Sequence, residues 1–271
     1  MTEKGVIYRK LKESRKYKYL CDDTLHRIAG WALDRYAPQK AEKAAKNKLH
    51  QVYGAFFERI NVKKIKERLA GLPAEPDTGI LKQIGGEIMK FHASTAERLP
   101  ILGKFYRELF NRTGVPKRVL DVACGLNPFS VQWMNLEPDA EYLGLDIDSR
   151  LTAMSNTFFK YLNRPYRAEC ADILVSLPEP VNKPDIIFIL KTLPSLEQQE
   201  KGAGERLLKF LKAKYIVVSF PAKSLSGREK GMETHYHDLI SGMQSRLCFT
   251  YFKLEYPSEI FYVMTPEHNK N

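Results

Sequence analysis

Three acidic residues and one glycine are spaced as they would be in a site for a nucleoside. Asp121 lies in an apolar run that predicts a buried strand, and Gly125 follows it where a side chain would obstruct a tight turn. Asp146 ends the next predicted strand, 21 residues beyond Gly125, and Asp172 follows the third strand. A carboxylate after the second strand can accept both hydroxyl groups of a ribose, and one after the third strand lies near the base. This order predicts a nucleoside-containing ligand at the carboxyl ends of parallel strands.

The turn after the first strand separates two classes of cofactor. It reads "ACGLNP" with a single glycine, whereas a dinucleotide site usually shows G-x-G-x-x-G because a pyrophosphate needs close approach to the backbone. S-adenosylmethionine carries no phosphate and needs fewer glycines, so the turn favours S-adenosylmethionine over NAD. Asn127 as a cap and Pro128 as the first helical residue predict that a helix starts directly after the turn.

The stretch after the fourth predicted strand, "LKTLPS", lies where class I methyltransferases usually place their chemistry. It lacks the [NDS]-P-P-[YF] motif of exocyclic amine methylation and a cysteine that could attack a pyrimidine carbon, since Cys124 lies in the cofactor turn. By elimination, the acceptor should need neither covalent catalysis nor a general base. Guanine N7 fits, because its lone pair is already nucleophilic and methyl transfer then depends mainly on positioning.

The elements that must position these residues change character after Pro116. Strands are predicted at 118–122, 141–146, 166–171, 185–190 and 214–220, and helices at 128–135, 149–162 and 196–212. Ser149 is a candidate cap of the second helix. The alternative to a ribose contact is that Asp146 and Asp148 only cap this helix. The final stretch "CFTYFKLEYPSEIFYVMT" predicts an antiparallel hairpin. Five parallel strands with a closing hairpin are typical of an α/β, class I, Rossmann-like methyltransferase sheet, whereas a dinucleotide-binding sheet would continue with a parallel sixth strand.

The preceding residues predict helices alone, so we expect an all-helical domain at 1–112 and a methyltransferase domain at 113–271. The helical stripes run through residues 25–36 and 41–56, and a short basic helix is predicted at 61–71. A loop is predicted at 71–79, a helix at 80–91 that Gly85 and Gly86 interrupt, and a further helix at 101–111. Ser94 with Glu97 fits a capping box.

The net charge of +11 lies mostly in the first part of the chain. Residues 1–100 hold 21 Lys and Arg against 12 Asp and Glu, whereas residues 101–271 hold 22 against 20. This asymmetry indicates a polyanion partner, most often nucleic acid, or alternatively a solvated helical surface. Lys223, Arg228 and Lys230 lie in the glycine-containing segment 219–232, which suits a phosphate backbone or is an ordinary exposed loop.

Several classes of protein are excluded by what the sequence lacks. No apolar run reaches the roughly 18 residues of a membrane span, and the N-terminus has no signal-peptide region. Four scattered cysteines without CxxC spacing indicate reduced thiols in a cytoplasmic protein rather than a zinc site. His235 and His237 are the only close histidine pair and have no further ligands nearby in the sequence. We therefore expect a cytoplasmic protein with no metal and no membrane partner. We also expect it to be a monomer.

Seven motifs, in order along nearly the whole chain, resemble the aminoglycoside-resistance 16S rRNA (guanine-1405-N7) methyltransferases. They are "KESRKYKYL", "KLHQVYGAFF", "HASTAERLP", "DVACGLNP", "LDID", "KTLPSLEQQ" and "SFPAKSLSGREKGM". The resemblance implies a helical domain that docks on the 30S subunit, and methylation of a guanine in helix 44 with S-adenosylmethionine. Two positions depart from the family: Ala96 stands where "STRERLP" has a basic residue, and Ser195 replaces the cysteine of "KTLPCLE".

The resemblance also implies roles for individual residues. It implies that Arg98 meets the methionine carboxylate, that Ala123 and Gly125 form the cofactor turn, and that Asp146 and Ile147 hold the ribose. It implies that Asp172 and Ile173 contact the adenine, and that Lys191, Thr192, Leu193 and Gln199 complete the pocket. The residues expected near the target base are Lys191, Leu193 and Pro194, and those expected to contact RNA are Arg15, Lys16, Lys46, Lys48, Lys223, Arg228 and Lys230.

Two other functions stay open on the sequence. A ribosome-binding factor could keep this fold without turnover, but the intact acids Asp146 and Asp172 speak against that. A methyltransferase for another base or for a small molecule would not require the basic helical domain.

Overall fold

A computed structural model describes residues 2–57, 60–175, 183–222 and 232–267. The α-helices are α1 Glu3–Glu13, α2 Asp22–Leu33, α3 Pro38–Phe57, α4 Val62–Ala70, α5 Thr78–Met89, α6 Ala93–Arg98, α7 Leu102–Thr113, α8 Ser149–Lys160, α9 Leu193–Gln199, α10 Ala203–Phe210 and α11 Met232–Leu247. The strands are β1 Arg118–Val122, β2 Glu141–Asp146, β3 Tyr166–Cys170, β4 Ile186–Leu190, β5 Tyr215–Pro221, β6 Phe249–Glu255 and β7 Glu259–Pro266. Two 3₁₀ helices span Leu99–Ile101 and Asn127–Trp133.

The seven strands form one mixed sheet in the order β3-β2-β1-β4-β5-β7-β6. The first five are parallel, and β7 runs antiparallel to both β5 and β6. The predicted fold class, with its terminal hairpin, is confirmed. The chain continues outward from β1 through β2 to β3 and then returns to β4 on the other side of β1. Ligands of open α/β sheets bind at such a switch point, outside the carboxyl ends of the strands.

Both faces of the sheet are buried, because successive side chains of a strand point to opposite faces. On one face, Val119 and Phe188 pack with the helices that precede β1 and with α8. On the other face, Leu120 and Ile187 pack with α9, α10 and α11. Near-continuous apolar strands such as "IIFIL" in β4 follow from this double coverage.

The hydrophobic cores divide the chain at a different point from the boundary predicted after residue 112. Helices α1 to α3 bury Leu11, Leu25 and Leu49 in a core of their own. Helices α4 to α7 instead join the core of the sheet, for example through Ile65 and Phe105. By packing, the separate helical unit therefore ends with α3. Within the described ranges, no helix is long and apolar enough to cross a membrane.

The predicted interruption of the helix at Gly85 and Gly86 is wrong, since α5 continues through both residues. A Cβ on Gly85 would lie 2.5 Å from the carbonyl oxygen of Phe129, so the glycine allows α5 to pack closely on the 3₁₀ helix after β1. The single helix predicted at 196–212 is also wrong. Gly202 adopts a φ of +79° and separates α9 from α10, and Glu197 accepts hydrogen bonds from the backbone N–H groups of Gly202 and Gly204.

Three predicted caps do not form, and in only one case does a neighbouring side chain cap the helix instead. Helix α8 is capped by Asp148, which accepts from the backbone N–H of Arg150, while the Ser149 hydroxyl donates to the carbonyl of Tyr19. The capping box of Ser94 and Glu97 does not form, because α6 begins after His92 and the Glu97 carboxylate binds Lys191 instead. The helix predicted at 128–135 is the 3₁₀ helix Asn127–Trp133, preceded by Leu126. Asn127 does not cap it, because its side-chain amide forms hydrogen bonds with the buried Asp121 and Arg98 instead.

Candidate active site

A pocket lies at the carboxyl ends of β1, β2, β3 and β4, and we call it the central pocket. Among the predicted cofactor residues, its lining includes Arg98, Ala123, Gly125, Asp146, Ile147, Asp172, Ile173, Lys191, Thr192 and Gln199. These residues come from α6, from the turns after four strands, and from α9. The topology therefore brings together nearly all of the cofactor residues that the sequence predicts.

The turn after β1 is held by the acid that ends β2. Asp146 Oδ2 accepts from the backbone N–H of Gly125 at 2.8 Å, and Oδ1 accepts from that of Asp148 at 2.9 Å. Gly125 has a φ of +51° and Ala123 a φ of +53°, a region that residues with a side chain rarely adopt. A non-glycine residue in this conformation is typical of functional sites, where the surrounding structure imposes it.

Two carboxyl groups of the pocket are harder to ionise than an ordinary aspartate. Burial raises the pKa of Asp146 to about 6, against the hydrogen bonds from Asp148 and Gly125 that lower it. Burial also raises the pKa of Asp121 to about 6, while Tyr142 and Asn127 lower it by donating to Oδ2 at 2.5 Å and 2.8 Å. Both acids line the central pocket, but Tyr142 and Asn127 both donate to Oδ2 of Asp121, whereas each oxygen of Asp146 accepts one backbone N–H.

Arg98 is buried in a charge pair that the sequence did not predict. Its Nε and Nη2 donate to the two carboxylate oxygens of Glu259 at 2.9 Å and 2.7 Å, and its Nη1 donates to Asn127 Oδ1 at 3.1 Å. The two side chains are 1% and 0% exposed. Burial opposes the charge on Arg98, but Glu259, with smaller contributions from Tyr106 and Asp121, leaves the pKa of Arg98 above its ordinary value. Glu259 also accepts from the hydroxyl of Ser219.

Lys191 brings a second cation to Glu259. Its Nζ lies 2.6 Å from Glu97 Oε2 and 3.6 Å from Glu259 Oε2. Its backbone has a φ of +56°, and its N–H donates to the Ser219 carbonyl at 3.1 Å. Lys191, directly after β4, therefore has the same left-handed backbone conformation as Ala123 after β1.

Two helices of the N-terminal unit, α2 with Arg27 and α3 with Tyr53, contact another part of the wall of the central pocket. Arg27 Nε donates to Asp172 Oδ2 at 2.9 Å, and Nη2 lies 3.1 Å from Gln199 Oε1 and 3.2 Å from Tyr53 Oη. The Thr24 hydroxyl donates to the same Asp172 oxygen at 2.9 Å. We call Arg27, with Asp172, Gln199 and Tyr53, the Arg27 bridge. Thr24, Arg27 and Tyr53 were not predicted as site residues.

Leu193 and Pro194, which were predicted near the target base, do not line the central pocket. Leu193 is fully buried in the core with α10, where its methyl group would lie 3.1 Å from a Cβ on Gly204. Pro194 is exposed and does not line the central pocket. The first turn of α9 points Leu193 inward because its period places the apolar Leu193 and Leu196 on the core side. Ser195 does line the pocket.

Comparisons with known proteins decide the family of this fold and pocket. A family model described as "Ribosomal RNA methyltransferase (FmrO)" matches residues 13–263. The chain belongs to the FmrO family of ribosomal RNA methyltransferases. It is 35% identical to a 16S rRNA (guanine(1405)-N(7))-methyltransferase of Frankia casuarinae, over 93% of this chain and 89% of that one. It is 34% identical to the enzyme of the same name from Micromonospora rosea, over 94% and 93%.

A solved structure agrees with this FmrO assignment over nearly the whole chain. The 16S rRNA methyltransferase RmtF, crystallised in complex with S-adenosyl-L-homocysteine, has a TM-score of 0.81 and 28% identity. The match covers 98% of this chain and 99% of RmtF. The resemblance inferred from the seven motifs is thereby confirmed.

The cations predicted to bind RNA take different positions on the N-terminal unit of this FmrO protein. Arg15 is exposed, Lys16 Nζ lies 2.9 Å from His50 Nδ1, and Lys46 pairs with Glu42 at 2.8 Å. Lys48 Nζ lies over the ring of Trp31, 5.4 Å from its centroid. Burial, followed by Arg27 and Arg35, lowers the pKa of Lys48. Lys223, Arg228 and Lys230 lie outside the described residues.

In the described ranges 2–57, 60–175, 183–222 and 232–267 no cluster of residues forms a metal site, and the thiol of the pocket wall is not activated. No group of three or more His, Cys, Asp and Glu residues in them could hold a metal ion. His237 is exposed, and the side chain of His235 lies outside the described residues. The four cysteines are free, and burial raises the pKa of the Cys124 thiol in the pocket wall. A thiol that stays protonated is a poor nucleophile.

Proposed function

We propose that this protein transfers a methyl group from S-adenosylmethionine to N7 of the guanine at position 1405 of 16S rRNA, within the 30S subunit. The observation that carries the proposal is the central pocket of an FmrO-family chain, in which Asp146 ends β2 beside the turn after β1. The two named relatives, each matched over more than nine-tenths of this chain, carry this reaction in their names.

The donors and acceptors of the pocket fit an adenosyl ligand that ends in an amino acid. Each oxygen of Asp146 accepts one backbone N–H and has a second lone pair, so the carboxylate can also accept two ribose hydroxyls. Ile147 and Ile173 supply apolar surface for a base. The described bonds of Arg98 use three of the five N–H donors of a guanidinium, so it can also donate to a ligand carboxylate. When bound, S-adenosylmethionine supplies a methyl group on a positively charged sulfur.

The residues around the pocket suit an acceptor that loses no proton. Guanine N7 has a free lone pair, and methylation there requires no general base. Lys191 lies at the pocket wall with an ammonium group that can donate to guanine O6, which neighbours N7 on the same edge of the base. Its partners Glu97 and Glu259 offset its charge, so a base that becomes positive meets little net repulsion. Lys191 would therefore orient the base, and the rate would follow from positioning.

The positively charged N-terminal part would dock on the rRNA. Arg15, Lys16, Lys46 and Lys48 are the proposed contacts, and each cation that neutralises a phosphate releases a counterion on binding. We further propose that the protein acts as a cytoplasmic monomer.

The decisive experiment maps the modified base. Purified 30S subunits are incubated with the protein and labelled S-adenosylmethionine, and the methylated position of 16S rRNA is located by chemical cleavage at N7-methylguanine. We expect one label, at guanine 1405, and none with the Asp146→Ala variant. Label at another base, or tight 30S binding without any label, would contradict the proposal. The second outcome would instead describe a non-catalytic binding factor.

A cellular measurement tests the consequence of the same reaction. A methyl group on N7 removes a hydrogen-bond acceptor and adds a positive charge, so a polycationic aminoglycoside that donates to N7 loses a bond and meets repulsion. Each ~1.4 kcal/mol of lost binding free energy lowers drug affinity about tenfold. We expect expression in a susceptible bacterium to raise the inhibitory concentrations of gentamicin and kanamycin but not of apramycin. Resistance that persists with Asp146→Ala would indicate protection by occupancy, and resistance to apramycin alone would exclude the guanine.

A further inference from the structure

The Arg27 bridge joins two parts of the sheet that separate at the switch point. Asp172 follows β3, on one side of β1, whereas Gln199 lies in α9, which follows β4 on the other side. Arg27 contacts both from α2, and Tyr53 of α3 donates to Gln199 Oε1 at 2.7 Å. A single side chain of the N-terminal unit therefore fixes the separation of two residues that line the central pocket.

Among the described hydrogen bonds of Asp172, one oxygen accepts two and the other accepts one, so the second oxygen can accept another. Oδ2 accepts from Thr24 and Arg27, while Oδ1 accepts from the backbone N–H of Leu174 at 2.9 Å. Asp172 is 2% exposed and Arg27 is 21% exposed, so the pair is mostly removed from water. In such surroundings a hydrogen bond is stronger, and removal of one charge leaves the other without compensation. The position of Oδ1 thus depends on Arg27.

We infer that Arg27 is a positioning residue for the cofactor: it holds Asp172 Oδ1 where it accepts a hydrogen bond from the 6-amino group of the adenine. The inference rests on the proposed function, because it takes the ligand of the central pocket to be an adenosyl compound. It assigns to α2 a part in cofactor recognition, although α2 belongs to the unit with its own hydrophobic core. Tyr53, which lines the pocket itself, gives α3 a share in the same wall.

The test compares two ligands that differ at the 6-position of the purine. S-adenosylhomocysteine has an amino group there, and S-inosylhomocysteine has a carbonyl oxygen that cannot donate to Asp172. Calorimetric affinities of both ligands are measured for the natural protein, Arg27→Met, Arg27→Lys and the control Arg206→Met. Arg206 forms an exposed ion pair with Glu200 and matches the loss of charge. Thermal unfolding of each variant is recorded in parallel.

We expect Arg27→Met to weaken binding of S-adenosylhomocysteine at least about tenfold and to leave the already weaker binding of the inosyl compound nearly unchanged. Arg27→Lys keeps the charge but has a single nitrogen in place of the Nε and Nη2 donors of the guanidinium, so we expect an intermediate loss. With 30S subunits, KM for S-adenosylmethionine should rise while kcat at saturating cofactor stays the same. Arg206→Met should match the natural protein in every measurement.

Several results would overturn the inference. They are an unchanged affinity of Arg27→Met for S-adenosylhomocysteine, an equal loss for both ligands, and equal binding of both ligands by the natural protein. If Arg27→Met does not fold, Thr24→Val replaces it, because this variant removes one donor to the same oxygen of Asp172 and keeps the shape of the side chain. The proposed function fails separately, when the natural protein gives no label at guanine 1405, so the two failures are distinguishable.

Discussion

Two arginine–carboxylate pairs support the wall of the central pocket, and they differ in what they join. Arg98 of α6 and Glu259 of β7 both belong to the part of the chain that packs on the sheet, and their side chains are 1% and 0% exposed. Arg27 and Asp172 join the N-terminal core to the loop after β3, and Arg27 is 21% exposed. The first pair is therefore part of one folded unit, whereas the second is a contact between two units. We expect the first to be needed for folding and the second to be needed mainly for binding.

The largest effect should come from breaking the Arg98 pair. Glu259→Gln leaves a buried guanidinium without its counter-charge, so we expect the free energy of unfolding to fall by about 3–5 kcal/mol. Chemical denaturation measures this loss. As a control, Glu200→Gln removes one charge of an exposed ion pair and should cost less than about 1 kcal/mol. An equal loss from Arg27→Met and Glu259→Gln would abolish the distinction between the two pairs.

A smaller effect is expected where neither pair is touched. Asp146→Ala removes the acceptor for the ribose hydroxyls and leaves them unpaired in a buried site, so S-adenosylhomocysteine should bind more weakly by about 1–3 kcal/mol. Calorimetry on the folded variant measures the change. Unchanged affinity would show that the ribose does not lie against the acid that ends β2, and would remove Asp146 from the proposed cofactor contacts.

The residues at the strand ends and the strand boundaries were predicted correctly, because each depends on a local sequence pattern. Asp121, Gly125 and Asp146 were found because strands of alternating αβ units end at one edge, so residues after successive strands meet there. The strand boundaries also agree closely, since apolar runs between turn residues mark buried parallel strands.

What the sequence did not predict depends on contacts between distant segments. Arg98 and Glu259 are 161 residues apart, and only the presence of an acid at the start of the apolar strand "EIFYVM" hints at a buried partner. Arg27 and Asp172 are 145 residues apart and have no such signal. The boundary after residue 112 followed the change from helices to strands, but packing depends on which surface each helix buries. Helices α4 to α7 bury theirs on the sheet.

Docking should depend on the N-terminal unit without involving the Arg27 bridge. Joint replacement of Arg15, Lys16, Lys46 and Lys48 by glutamine should weaken 30S binding about tenfold or more and flatten its salt dependence, by about one in the log–log slope for each phosphate that is no longer neutralised. Filter binding across a series of salt concentrations measures both. Affinity for S-adenosylhomocysteine should stay within about twofold, in contrast with Arg27→Met. Undiminished 30S binding would mean that these four cations are not the docking surface.

The smallest effect expected is the pH dependence of cofactor binding. Burial raises the pKa of Asp146 from 3.8 to about 6, so half of the free protein carries a protonated Asp146 at that pH. The ionised carboxylate is the form that accepts two hydroxyls, and apparent affinity scales with its fraction, so binding of S-adenosylhomocysteine should be about twofold weaker at pH 6 than at pH 8. Affinity should continue to fall as the pH decreases further. Calorimetry from pH 5 to pH 8 measures this profile.

Two substitutions identify the acid that causes this pH dependence. Asp146→Asn should bind S-adenosylhomocysteine more weakly but with a flat profile. Asp121 shares a pKa of about 6, but its Oδ2 already accepts from Tyr142 and Asn127 and it is not the proposed ribose contact, so Asp121→Asn should keep the slope of the natural protein. If the slope disappears with Asp121→Asn and persists with Asp146→Asn, Asp121 is the titrating acid. The ribose contact would then not lie at the end of β2.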